Sequence, residues 1–210
     1  MLGTLGTAAL GVALANAAEE KKRRIILGVA CSPRKEKGTS TGIKIALDAA
    51  AKVDQSIKTE LIDLGGMKIG GWNGSGFPDD DFRKILPKLQ HPDLAGVIIG
   101  SPVYFRNMSA VCKAFIEQCN ALRTPKSVLA NKLIGALAVG KSRNGGQELV
   151  IQQIQSAMLC HEMIIVGGRH PSFQGGTLIS ADDTIKGDDY GMASAINLGQ
   201  RIAEVALRMQ

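Results

Sequence analysis

The chain has 210 residues, 45% of them hydrophobic but only 4% aromatic, with 25 glycines and a formal net charge of +6. That length suits one core without disulfide or metal staples, and short apolar runs between glycines exclude a disordered or fibrous chain. The charge is local: residues 19–37 carry seven Lys/Arg against three Asp/Glu, and no basic stripe with interleaved aromatics follows, which argues against nucleic acid as a partner.

Residues 1–18, MLGTLGTAALGVALANAA, have no charged side chain and end in an A-x-A pattern at Ala15–Ala17. They resemble the latter part of a twin-arginine export signal and are set apart from a single domain at 19–210. That reading puts the protein in the periplasm; an alanine-rich N-terminal helix, with a cytoplasmic location, is the alternative. The run is short of the roughly 20 residues of a membrane span, so no stable anchor is expected.

Strand and helix patterns then alternate, the signature of a parallel sheet with crossover helices. The first strand is Ile25–Ala30, and CSPRKEKGTST at 31–41 hands it to a helix over Ser40–Val53. A strand passing to a helix through hydroxyls, glycine and bases is an anion site, because first-turn amides lack partners and the helix dipole adds positive charge there. The loop is neither a P-loop nor G-x-G-x-x-G, so a single terminal phosphate is the expected ligand. A second strand, Ile57–Leu64, alternates like an edge strand. A glycine-rich loop at 65–76 precedes a short helix over Asp79–Leu89 that Pro87 distorts or ends early.

The third strand is Gly96–Gly100, and Ser109 is a good N-cap for a helix carrying Val111, Cys112, Phe115, Ile116, Cys119 and Leu122 on one stripe. Strand four is Leu133–Val139, helix four Gln147–Cys160, strand five Met163–Val166, and a long loop leads to a final helix over Tyr190–Met209. In an open α/β sheet, ligands collect at the carboxyl ends of the strands. Three loops fall there: 31–41, SPVYFRNMS at 101–109, and GKSRNGG at 140–146. Of the neighbours Tyr104 and Phe105 only one can face inward, which leaves the other for a flat ring. A phosphate on the first loop and a ring across the other two describe flavin mononucleotide (FMN). The four cysteines have no C-x-x-C or Cys/His ligand spacing, and the three histidines have no triad context, so neither a metal nor an acid–base role is assigned to them.

Four blocks, SPRKEKGTS, SPVYFRNMSAVCKAFIEQC, GGQELVIQQIQSAMLCHEMIIVGG and DDYGMASAINLGQRIAEVA, resemble in order the flavodoxin-like, NADPH-dependent FMN reductase family, near its iron–sulfur flavoprotein branch. The resemblance implies a doubly wound five-stranded parallel α/β sheet of order 2-1-3-4-5, bound FMN, a reduced nicotinamide (NADPH or NADH) as donor, and a homodimer or homotetramer. It carries Ser32, Arg34, Thr39, Ser40 and Thr41 to the phosphate, and Pro102, Val103, Tyr104, Phe105 and Asn107 to the loop beside the ring. Gly140, Gly145 and Gly146 match the turn at the ring edge. Arg106 replaces the family's usual small residue and adds a positive charge near the flavin. Residues 65–80, where that branch places its cysteine cluster, contain no cysteine, so no cluster is expected there; Trp72 either covers the flavin or packs at a subunit contact.

The implied activity is transfer of electrons from the nicotinamide through FMN to a small acceptor such as a quinone or free flavin. The alternative is an FMN-containing electron carrier that nicotinamides do not reduce directly. Such carriers are usually acidic, and the basic balance here favours the enzyme.

Overall fold

The computed structural model describes residues 22–75 and 79–209. The apolar segment 1–18 lies outside the described residues, and among those described no helix is long and apolar enough to cross a membrane. The strands are β1 (Arg24–Ala30), β2 (Ile57–Asp63), β3 (Leu94–Tyr104), β4 (Asn107–Met108), β5 (Leu133–Gly140), β6 (Ile164–Ile165) and β7 (Gly176–Ile179). The helices are α1 (Gly38–Ala51), α2 (Phe82–Leu89), α3 (Ala110–Gln118), α4 (Gln147–Leu159) and α5 (Asp189–Arg208).

The sheet runs β2-β1-β3-β5-β6 with every pair on that path parallel, which is the doubly wound, flavodoxin-like order. Its fifth position is shared by two short strands. β6 pairs with Leu133 and Ile134 near the start of β5, whereas β7 pairs with Leu137–Gly140 at its end. Sequence patterning reads 163–166 as the whole fifth strand and the segment after it as loop; GTLI at β7 is too short, and too closely flanked by glycines, to show a period. β3 is longer than predicted because it continues through Pro102 into a hairpin, with Tyr104 opposite Asn107 in β4.

The central strands β1, β3 and β5 are buried on both faces along most of their length, as parallel strands covered by helices must be. Along β1, Ile25, Leu27 and Val29 face one core with Phe82, Phe115 and Ile151, while Ile26 and Ala30 face a second with Ile43, Leu198 and Ile202. Thus α2, α3 and α4 cover one side, and α1 and α5 cover the other. A methyl group on Gly28 would lie 2.4 Å from the Ile43 side chain, which shows how closely α1 is laid on β1.

Helix starts differ from the sequence reading in a way that matters for the site. α1 begins at Gly38, two residues before Ser40, with Lys37 at the N-cap and no side-chain cap. α2 begins at Phe82 rather than Asp79, since the Asp80 carboxylate accepts the Phe82 amide at 2.9 Å and turns the chain there. Pro87 falls in the last turn of α2, which closes two residues later.

Candidate functional site

At the carboxyl ends of β1, β3 and β5, three loops and the segment after β7 enclose a cavity of about 480 Å³. Ser32, Arg34, Thr39, Pro102, Val103, Tyr104 and Gly140, all singled out from sequence, line it together. Ser40, Thr41, Phe105, Asn107, Gly145 and Gly146 are not among its lining residues. The early start of α1 turns the Thr41 hydroxyl back to donate to the Lys37 carbonyl at 3.2 Å and leaves Ser40 buried beside the lining. Phe105 is fully exposed at the tip of the β3–β4 hairpin, so Tyr104 is the aromatic that reaches the cavity. Asn107 spends its side chain on the amide of Met108 at 2.9 Å. Gly146, at φ 108°, starts α4 against Arg106, where an added Cβ would lie 3.2 Å from the Arg106 Cα.

The anion end is built from the loop between β1 and α1. The first ladder bond of α1 runs from the Thr41 amide to the Lys37 carbonyl at 3.0 Å, so the amides of Gly38, Thr39 and Ser40 precede the ladder and are available. Within the loop the Arg34 amide donates to Ser32 Oγ at 3.1 Å, which curls Arg34 toward α1. The loop is braced from outside by Asp63, whose carboxylate accepts the amides of Glu36 and Gly65, each at 2.9 Å. Gly65 is required there: a Cβ would sit 2.3 Å from the Lys35 backbone.

Ser109 joins this loop to the next. Its hydroxyl donates to the Cys31 carbonyl at 2.6 Å and accepts the Cys112 amide at 3.1 Å as the N-cap of α3, while its own amide donates to Ser101 Oγ. Because Ser109 is fully buried, replacing it with Ala leaves both partners without a bond. We expect a loss of about 2 kcal/mol, with little change in the denaturant slope, when Ser109→Ala is compared with wild type in urea. A loss under about 0.5 kcal/mol would contradict this role.

Gly38, whose lack of a side chain suits close backbone approach to an anion, also lines the cavity, and so do residues that sequence reasoning did not single out: Lys37, Val139, Ser180, Asp182 and Asp183. The last three come from the segment after β7, where sequence patterning shows only a loop. The third loop is held differently from the first. Arg143 leaves the cavity to donate to the Thr177 carbonyl at 3.0 Å, ion-pairs with Asp188 and lies 4.5 Å over the Tyr190 ring. Lys141 stays at the cavity and makes no ion pair among the described residues.

Trp72 lies elsewhere. Its amide donates to Glu117 of α3 at 2.9 Å, and Lys113 and that amide together hold the Glu117 carboxyl below its ordinary range. The loop around it is further tied to α3 through Gln118, which donates to the Gly70 carbonyl at 2.9 Å, and to Asp80, which accepts the Gly70 amide at 2.8 Å.

Residues 25–177 match the family described as NADPH-dependent FMN reductase. The chain is 40% identical to an iron–sulfur flavoprotein of Methanocaldococcus jannaschii over 190 residues, covering 86% of this chain and 96% of that protein. It is 28% identical to an NAD(P)H dehydrogenase (quinone) of Chromohalobacter salexigens, over 64% of this chain and 74% of that one. Among solved structures, the WrbA-like flavodoxin of Agrobacterium tumefaciens superposes with a TM-score of 0.58 at 14% identity, covering 90% of this chain and 99% of that one; this likeness concerns the fold alone.

The residues here do not fit an iron–sulfur cluster. Residues 65–80 contain no cysteine, and among the described residues no three His, Cys, Asp or Glu side chains are grouped to hold a metal. Cys31, Cys112 and Cys119 are buried in the core, where burial pushes the Cys31 and Cys119 thiols up, away from the thiolate that a cluster requires.

Proposed function

This chain belongs to the NADPH-dependent FMN reductase family, and from that membership and the geometry of its cavity we propose an FMN-dependent oxidoreductase that takes electrons from a reduced nicotinamide and delivers them to a small acceptor such as a quinone or flavin. The observation that carries this reading is the pairing, in one cavity, of an open helix N-terminus with a strand end that offers an aromatic face. The available amides of Gly38, Thr39 and Ser40, with Arg34, Lys37 and the Ser32 and Thr39 hydroxyls, fit a phosphate. Pro102, Val103 and Tyr104 on one side and Val139, Gly140 and Lys141 on the other fit a flat ring.

FMN, held by the residues named above, would supply the hydride and electron-transfer chemistry. The protein's part is to bind and orient. The phosphate loop fixes one end of the ligand, and its rigidity comes from Asp63 and Ser109. Gly140 leaves room for Gln147: a Cβ there would lie 2.6 Å from the Gln147 Nε2, whose bonds to the Ser142 and Leu178 carbonyls hold the third loop to β7. Lys141, which makes no ion pair among the described residues, brings a positive charge to the ring end, which favours any state of the ligand that gains negative charge.

The purified protein is expected to be yellow or to quench the fluorescence of added FMN at one equivalent per chain. Stopped-flow mixing with NADPH or NADH should then bleach the flavin absorbance. A protein that leaves FMN fluorescence unchanged throughout a titration would overturn the cofactor, and FMN bound but not bleached by either nicotinamide would favour an electron carrier.

A further inference from the structure

One part of the cavity works against an anion. Its charged lining comprises three cations, Arg34, Lys37 and Lys141, but also two carboxylates, Asp182 and Asp183. Acids at a phosphate site break the local rule of charge complementarity, and such departures are expected where they do a job.

The carboxylates are delivered by a tight turn. The Thr184 amide donates to the Ala181 carbonyl at 3.0 Å, and both central residues are left-handed, with φ 49° at Asp182 and 65° at Asp183. Positive φ at both central positions is the mark of a type I′ turn, which Asp and Asn tolerate better than other side chains do. The turn is anchored on either side. The Ser180 amide donates to the Gly140 carbonyl at 2.8 Å, and Asp188 caps α5 while accepting the Ile179 amide at 2.6 Å. At the tip, one Asp183 oxygen is ion-paired with Arg34 and the other lies 3.8 Å from the Lys37 Nζ. Asp182 makes no ion pair among the described residues.

We propose that Asp183 is an internal occupant of the anion site: it holds Arg34 and Lys37 when no phosphate is bound, is exchanged for the phosphate of the incoming ligand, and thereby sets affinity for phosphate-bearing flavins. The proposal rests on the reading of this cavity as an FMN site. The exchange is feasible because the Arg34 and Asp183 side chains are 54% and 38% exposed, and an ion pair that open to water is weak. A phosphate has more charge and more acceptor oxygens than a carboxylate, and it also meets the free amides at the start of α1. Asp183 therefore loses the competition but lowers the net gain. It offers Arg34 no comparable reason to discriminate for or against riboflavin, which has no phosphate.

The test titrates FMN, riboflavin and inorganic phosphate against wild type, Asp183→Asn and Asp182→Asn. Asn keeps the turn geometry, so both variants should fold. Asp183→Asn is expected to bind FMN about three- to fivefold tighter, the order of effect of removing one exposed competing partner. Its melting temperature should respond to inorganic phosphate at lower concentrations than wild type, riboflavin affinity should not change, and Asp182→Asn should move FMN affinity much less. Equal or weaker FMN and phosphate binding by Asp183→Asn would overturn the proposal and make Asp183 a buttress for Arg34. Equal gains in both variants would overturn it in favour of a general charge effect. If no variant binds either flavin, the cofactor reading fails, and the phosphate arm alone decides the exchange: a tighter response in Asp183→Asn upholds it, and no difference refutes it.

Discussion

Replacing Gly199 with Ala is expected to destabilise the protein by about 3 kcal/mol or more, the upper end of overpacking costs, and to lower the melting temperature by about 6–12 °C. Gly199 lies in α5, where it faces α1, and an added Cβ would sit 1.9 Å from the Ala46 carbonyl oxygen and 2.7 Å from its carbon. Those are backbone atoms in the middle of a 14-residue helix, so no side-chain rotation relieves the overlap; the helices must separate. Separation opens the core shared by Ile43, Leu47, Leu198 and Ile202 on that side of the sheet. Elsewhere in a helix, Gly→Ala is worth up to about 1 kcal/mol of stabilisation, so the sign of the change discriminates sharply. Equilibrium unfolding of Gly199→Ala beside wild type checks it, and a stabilised variant would mean that α1 and α5 do not cross at this point.

The same glycine shows why part of the fold was illegible in the chain. On propensity alone Gly199 is a defect in a helix, and nothing near it in sequence names Ala46 as its neighbour. What could be read was local chemistry with a built-in address: Ser109 as an N-cap before an apolar stripe, and hydroxyls, glycine and bases between a buried strand and a helix. What could not be read was the second half of the fifth sheet position. β7 has only four residues, and its place is set by pairing with Leu137–Gly140 rather than by any pattern of its own. The turn after β7 is equally without a pattern of its own, and no local signal marks Asp183 as the ion-pair partner of Arg34, 149 positions away. Ser40 and Thr41 show a smaller difference of the same kind, in where their side chains lie, while the Ser40 amide stays at the open start of α1. Their residue types suit an anion, but two residues of displacement in the start of α1 rotate them out of the cavity lining.

Arg34→Ala is expected to weaken FMN binding by about 10- to 150-fold, the equivalent of about 1.5–3 kcal/mol for one charge-assisted hydrogen bond. The fold should survive, because the Arg34 side chain is more than half exposed and its ion-pair partner Asp183 sits on a turn held by other bonds. Riboflavin supplies the control: it lacks the phosphate, so its affinity should change far less, and equal weakening of both flavins would place the phosphate away from this loop. Asp183 gives the prediction a second edge. In wild type Arg34 must release that carboxylate before it can gain the phosphate, so its measured contribution is a difference between two partners. In an Asp183→Asn background there is no carboxylate to release, and Arg34→Ala should cost more there than in wild type. FMN titrations of the two single variants and the double variant measure that coupling. A cost for Arg34→Ala that is the same in both backgrounds would show that carboxylate and phosphate never compete for the guanidinium.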